Sequence, residues 1–132
     1  MGRLGERAQL KVSGPTWEGK LRTKFMTLCD TLLGVSPESF AELTTIYIKF
    51  SLSDQSSSPV YAVVWIKNSK KWLVGLALPK GVSHPNLIDA PPQRTYTGLT
   101  SYFYLSEDEE LPVELPDWSN LAFENIRANS CQ

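Results

Sequence analysis

The chain has 132 residues, enough for one domain with a single core and too few for two, and a fold of this size needs neither a disulfide nor a metal staple. Its 13 Lys and Arg against 14 Asp and Glu give a formal net charge of -1, which excludes a strong polyanion binder and leaves room for a local basic patch. With 42% hydrophobic and 20% charged residues the composition is globular, and no catalytic fingerprint stands out.

The neutrality conceals an uneven layout. Positions 1 to 66 hold seven basic and six acidic residues, whereas 67 to 132 hold six and eight. Cys29 and Cys131 are too far apart and too few to form a disulfide framework or a metal pair, so Cys29 reads as a small buried hydrophobe. The most apolar stretch, Val60 to Leu78, is broken by Lys67, Asn68, Lys70 and Lys71, so no membrane span is expected. The first residues lack the apolar core of a signal peptide. A cytoplasmic protein without membrane contact is the expectation.

Residues 1–15, with Gly2, Gly5 and Gly14 among charges, read as a flexible arm, with a short strand at Ala8 to Ser13 as one option. A single α+β domain is expected over 16–128 and a tail over 129–132. Thr16 is placed to cap a first helix, in which Trp17, Leu21, Phe25, Leu28, Cys29 and Leu32 recur at steps of three and four. Gly34 ends it, and Ser36-Pro37-Glu38 starts a turn. From Thr44 to Leu52, Ile46, Ile48, Phe50 and Leu52 alternate with Tyr47, Lys49 and Ser51, the period of a half-buried strand. A Ser-rich loop follows.

Val60 to Ile66 and Trp72 to Leu78 flank the polar turn Lys67-Asn68-Ser69-Lys70-Lys71 and predict a hairpin. Its apolar residues fall on both faces, which predicts a central hairpin covered on both sides. Pro79 to Tyr96 holds four of the nine prolines and no periodic pattern; long structureless loops in compact domains are often functional. Thr100 to Leu105 predicts a fourth strand. Glu107-Asp108-Glu109-Glu110 and the extended Leu111 to Pro116 then lead to a helix capped by Asp117, with Trp118, Leu121, Ala122 and Ile126 as its stripe. The expected architecture is a mostly antiparallel four- or five-stranded sheet with the N-terminal and C-terminal helices packed on one face.

Thr45 to Phe50, Val60 to Val64, Leu73 to Pro79, Gly98 to Leu105 and the Asp117 helix together resemble a prokaryotic domain family of unknown function. Its members occur alone or appended to nucleases and to chains labelled predicted transport proteins. The resemblance covers roughly residues 17 to 128 and implies a relation in fold to the YdhG-like iron-chaperone domains. Two features depart from the pattern: Thr95-Tyr96-Thr97-Gly98 stands where members often carry a His-Trp pair, and the Ser-rich loop is longer. The resemblance supplies no site residue.

The ligand site is expected between the 79–96 loop and an open sheet face, with Trp65, Trp72, His84, Arg94 and Tyr96 as its residues, Arg94 for an anionic group and the rings for stacking. This describes a small non-enzymatic binding or accessory module for a protein or small molecule, without a cofactor. Three alternatives stand beside it. Lys67, Lys70 and Lys71, with aromatic faces, have the chemistry of a single-strand nucleic-acid platform, although hairpin lysines also block strand aggregation. His84, with Ser83 or Ser101 and Asp89, has the residue types of a small hydrolase but no nucleophile elbow. Glu107 to Glu110 offer oxygen ligands for iron or another cation, whereas one His and two distant Cys do not make a zinc site.

Overall fold

A computed structural model describes residues 3–4, 19–43, 47–55, 58–68, 71–79, 84–85, 87–88, 99–106 and 110–130. The elements are β1 (Arg3–Leu4), α1 (Gly19–Leu33), β2 (Phe40–Leu43), β3 (Tyr47–Ser51), β4 (Val60–Asn68), β5 (Lys71–Leu76), β6 (Ser101–Ser106) and α2 (Leu115–Ser130). The sheet order is that of the sequence, β1 to β6. Strands β2 to β6 are antiparallel, through short connections up to β5 and through the long 77–100 connection between β5 and β6, and the two-residue β1 adds to the outside of β2 in parallel. An α+β fold follows, with one antiparallel sheet between two terminal helices.

Both helices pack on the same sheet face. Phe25, Leu28, Cys29 and Leu32 of the α1 stripe are fully buried and share one cluster with Ile48, Phe50, Val64, Trp72, Val74, Leu76, Phe103 and Leu105. Leu115, Trp118, Ala122 and Phe123 bring α2 into that cluster. The α2 stripe is therefore rotated from the expected one: Leu121 is exposed and Phe123 takes a buried position. Helix α2 also begins earlier. The Glu114 carbonyl accepts the Trp118 N–H at 2.9 Å, so Asp117 lies inside the first turn rather than at the cap. Pro116 is compatible with this because the first helical turn leaves its N–H groups unused.

The end of α1 is closed by side chains from the sheet and the following turn. The Gly34 N–H donates to the Asp30 carbonyl at 2.8 Å. The carbonyls of Leu32 and Leu33, which no helical N–H reaches, accept the Tyr61 hydroxyl at 2.7 Å and the Ser39 hydroxyl at 2.8 Å. Tyr61 reaches the helix because of a register shift. Phe50 pairs with Ala62 while Ser51 pairs with Val60, so Tyr61 is the extra residue and joins Ala62 on the helix side. Burial pushes its phenol above the usual tyrosine range.

Several expectations shift in detail. Phe40–Leu43 is a strand that four residues of weak alternation did not reveal, stabilised by pairing with β3. The hairpin turn is tighter than the five residues assigned to it, since Asn68 pairs with Lys71 after an irregularity beyond Ile66. Arg3–Leu4 of the N-terminal arm pair with Phe40 and Ala41, and the helix runs through Ser130 into the expected tail. The proposed cap Thr16, Trp17 of the stripe and the optional strand Ala8 to Ser13 lie outside the described residues.

The sheet face opposite the helices is not open. Val63, Trp65, Leu73, Ala77, Leu99 and Tyr102 form a second cluster, all buried, with Tyr47 and Val60 against it. The both-sides pattern of the β4 and β5 sequences thus corresponds to two buried faces, and among the described residues no broad exposed aromatic platform lies there.

Candidate functional site

Antiparallel pairing decides where the two candidate tryptophans point. Trp65 lies opposite Leu73 and Ile66 opposite Trp72, so the tryptophan side chains leave the hairpin on opposite faces. Trp72, 1% exposed, meets Phe25 of α1 edge to face at 5.0 Å and 74°. Trp65, 3% exposed, lies among Tyr47 and Tyr102 on the other face, with ring centroids 5.6 and 6.0 Å away. They do not form one ligand surface together, and each is core. Arg94 and Tyr96 lie outside the described residues, as do most of the 79–96 loop, Ser83 and Asp89.

His84 is described, and it lies at the N-terminus of α2. Its Nε2 is 3.5 Å from Glu114 Oε2, and the two side chains are 29% and 35% exposed. The imidazole meets the Trp118 ring at 5.2 Å and 76°, and Trp118 lies 5.8 Å from Phe103 of β6. Four residues on, Ile88 forms an antiparallel bridge with Tyr102: its N–H donates to the Tyr102 carbonyl at 2.8 Å, and its carbonyl accepts the Tyr102 N–H at 2.9 Å. Between these points the Leu87 N–H donates to the His84 carbonyl at 2.9 Å, and Leu87 packs against the helix-side cluster. His84 and Leu87–Ile88 thus link the start of α2 with the outer edge of β6.

The β6 edge has a further property. Backbone groups two residues apart on a strand point to the same side, so those of Tyr104 face outward with those of Tyr102. At the end of the strand the Ser106 carbonyl accepts the Lys24 ammonium of α1. The Tyr104 ring is 37% exposed, and Lys71 Nζ lies 4.6 Å from its centroid. Among the described residues the exposed large hydrophobic side chains are Ile88, Tyr104, Val113 and Leu121. Ile88 and Tyr104 belong to the β6 edge, and Val113, 87% exposed, precedes the glutamate that meets His84. The sequence signal for this clustering was slight: Ile88 and Val113 sit in unpatterned segments, and their exposure depends on tertiary placement.

Lys71 is exposed at the hairpin, the side chain of Lys67 and all of Lys70 lie outside the described residues, and so do Glu107, Asp108 and Glu109. Among the described residues no group of three His, Cys, Asp or Glu is arranged to hold a metal ion. No described helix is long and apolar enough to cross a membrane. A depression of about 320 Å³ at the α1–β2 turn is lined by Pro37, Glu38, Ser53 and Asp54, none of them a candidate ligand residue.

Cys29 is fully buried under the sheet, and burial, aided by the neighbouring Asp30 charge, pushes its thiol above the usual cysteine range. The thiolate is the reactive form, so the native protein should be slow to alkylate at Cys29. Iodoacetamide labelling followed by mass spectrometry of the Cys29 peptide is expected to be about a hundredfold or more slower in the folded protein than in urea. Comparable rates would mean that α1 does not cover the thiol. The raised value also makes stability fall as pH climbs beyond about 8.5, where the unfolded thiol ionises and the buried one does not.

Neither the protein-family models, nor the curated proteins, nor the solved structures contain a match to this chain.

Proposed function

We propose that the protein is a small non-enzymatic binding or accessory module of the cytoplasm whose partner engages the β6 edge. The observation that carries this reading is the placement of the exposed apolar side chains Ile88 and Tyr104 along one sheet edge, beside the His84 and Glu114 contact. Large apolar side chains left exposed together along one strand edge are a common mark of an interaction surface. A protein partner suits an edge better than a small ligand does, because the rings expected to line a pocket, Trp65 and Trp72, are buried on opposite faces. The resemblance to a prokaryotic domain family of unknown function adds no residue to this reading.

Photo-crosslinking tests the reading. With p-benzoylphenylalanine at Ile88, at Tyr104 and, for comparison, at the exposed Asp54, discrete protein adducts are expected from positions 88 and 104 and not from 54. Adducts from none of the three, or equally from all, would overturn it. Adducts to nucleic acid at 104, next to Lys71, would replace it with the single-strand reading.

A further inference from the structure

We propose that the Lys24 ammonium guards the β6 edge: by holding the Ser106 carbonyl it keeps this edge from pairing, strand to strand, with the β6 of a second copy of this chain. Backbone groups on one side of a strand belong to alternate residues, so Tyr102, Tyr104 and Ser106 present theirs away from β5. Tyr102 exchanges both its hydrogen bonds with Ile88, at 2.8 and 2.9 Å. The Ser106 carbonyl accepts the ammonium of Lys24, a side chain of α1 that lies 82 positions away in the chain. Between them stands Tyr104, whose ring lies 4.6 Å from Lys71 Nζ and whose outward N–H and carbonyl are the groups that a second strand would meet.

The Ile88 bridge restricts where such pairing can occur. Two copies related by a two-fold axis meet antiparallel and offer each other the same residues. A register that uses Tyr102 would displace Ile88, whereas one centred on Leu105 avoids it and sets Tyr104 of each copy opposite Ser106 of the other. In that register each Ser106 carbonyl must accept the Tyr104 N–H of the second copy, and this is the carbonyl that the ammonium holds. An arriving strand would have to take the acceptor from the ammonium and cover its charge, so a lysine set on a sheet edge opposes association. The opposite edge of the sheet is closed by the same two devices. There β1 pairs with Phe40 and Ala41, and two residues beyond Ala41 the Leu43 N–H donates to Oε1 of Glu42 at 2.8 Å. At each edge a short backbone segment covers one end and a charged side chain occupies a backbone group at the other.

Sedimentation velocity of the full chain tests the guard with Lys24→Met, which keeps an unbranched side chain and removes the donor and its charge, and with Lys24→Arg, which keeps both. The wild type and Lys24→Arg are expected to self-associate equally weakly, and Lys24→Met at least about tenfold more tightly, the size of a lost charge-assisted hydrogen bond. Hydrogen exchange by NMR places the contact. In Lys24→Met the Tyr104 amide should exchange about tenfold more slowly in concentrated than in dilute samples, relative to the Val64 amide of central β4, and in the wild type it should not. Adding Tyr104→Pro, which removes that N–H from the edge of the sheet, should return Lys24→Met to the wild-type constant. Lys24→Gln, neutral and polar, carries the same expectation and replaces Lys24→Met if the latter melts more than about 10 °C below the wild type. Equal self-association in the wild type and in the neutral variants overturns the proposal. So does association that leaves Tyr104 exchange unchanged or persists with Tyr104→Pro. The guard concerns the backbone of β6, so the presence or absence of cross-links at 88 and 104 decides the partner reading alone and leaves these results standing.

Discussion

Trp72→Ala is expected to lower the unfolding free energy by about 3–5 kcal/mol, the range for deleting a large buried aromatic side chain. Its indole lies between the sheet and Phe25 of α1, in the cluster that also holds the α2 residues Leu115 and Trp118. Truncation would leave a cavity lined by both helices and the sheet, which a rigid hairpin cannot close by a small shift. Against a total of about 5–15 kcal/mol for a domain, that is a large fraction of the whole. The thermal midpoint should drop by about 10–15 °C, followed by circular dichroism. A drop under about 3 °C would place Trp72 outside the core and return it to the list of ligand-contact candidates. A variant that keeps an aromatic ring, Trp72→Phe, should recover part of the loss.

Gly75→Val is the second large effect, and it arises on the opposite face. A Cβ at Gly75 would come within 2.7 Å of Tyr102 Cε2 and 3.0 Å of both Tyr102 Cδ2 and Leu99 Cδ1, closer than carbon atoms approach without displacement. The tyrosine ring therefore lies directly on the glycine backbone. Tyr102 is fully buried and also makes the bridge to Ile88, so its ring has no free direction in which to retreat. Overpacking of this kind costs about 1–3 kcal/mol or more, with Gly75→Ala at the lower end. Urea unfolding measures it, and a coupled design sharpens it: Gly75→Ala with Tyr102→Leu should cost less than the sum of the single changes. Additive costs would mean that the ring and the glycine do not touch. Because Tyr102 also bridges to Ile88, Gly75→Val should reduce protection of the Ile88 amide by more than it reduces that of Val64.

The two substitutions show which parts of the molecule were legible as sequence. The α1 stripe was, because Phe25, Leu28, Cys29 and Leu32 repeat at helical spacing and all four are buried against the sheet. The hairpin of β4 and β5 was, because two runs rich in Val, Ile and Trp enclose polar residues. Strand β2 was not, since Phe-Ala-Glu-Leu is too short to show a period and is held by pairing with β3. The rotation of α2 was missed for a related reason. Leu121 and Phe123 are both apolar, and only the angle at which the helix lies on β4 and β5 decides which of them is buried.

The candidate site divides in the same way. His84 was singled out for its chemistry, and the structure gives it the carboxylate of Glu114, just before α2, and the indole of Trp118 within it. Trp65 and Trp72 were singled out as aromatic groups near a long loop, yet pairing register sends them to opposite sides of the sheet. Composition and periodicity act over a few residues, and they determined that this chain is one neutral α+β domain with an antiparallel sheet and two amphipathic helices. Which side of the sheet each tryptophan takes, where the apolar residues remain exposed and what the lone histidine touches depend on contacts between segments far apart in the chain. Only the tertiary structure decided those, because burial and charge pairing are properties of neighbours in space and the local pattern of residues does not encode them.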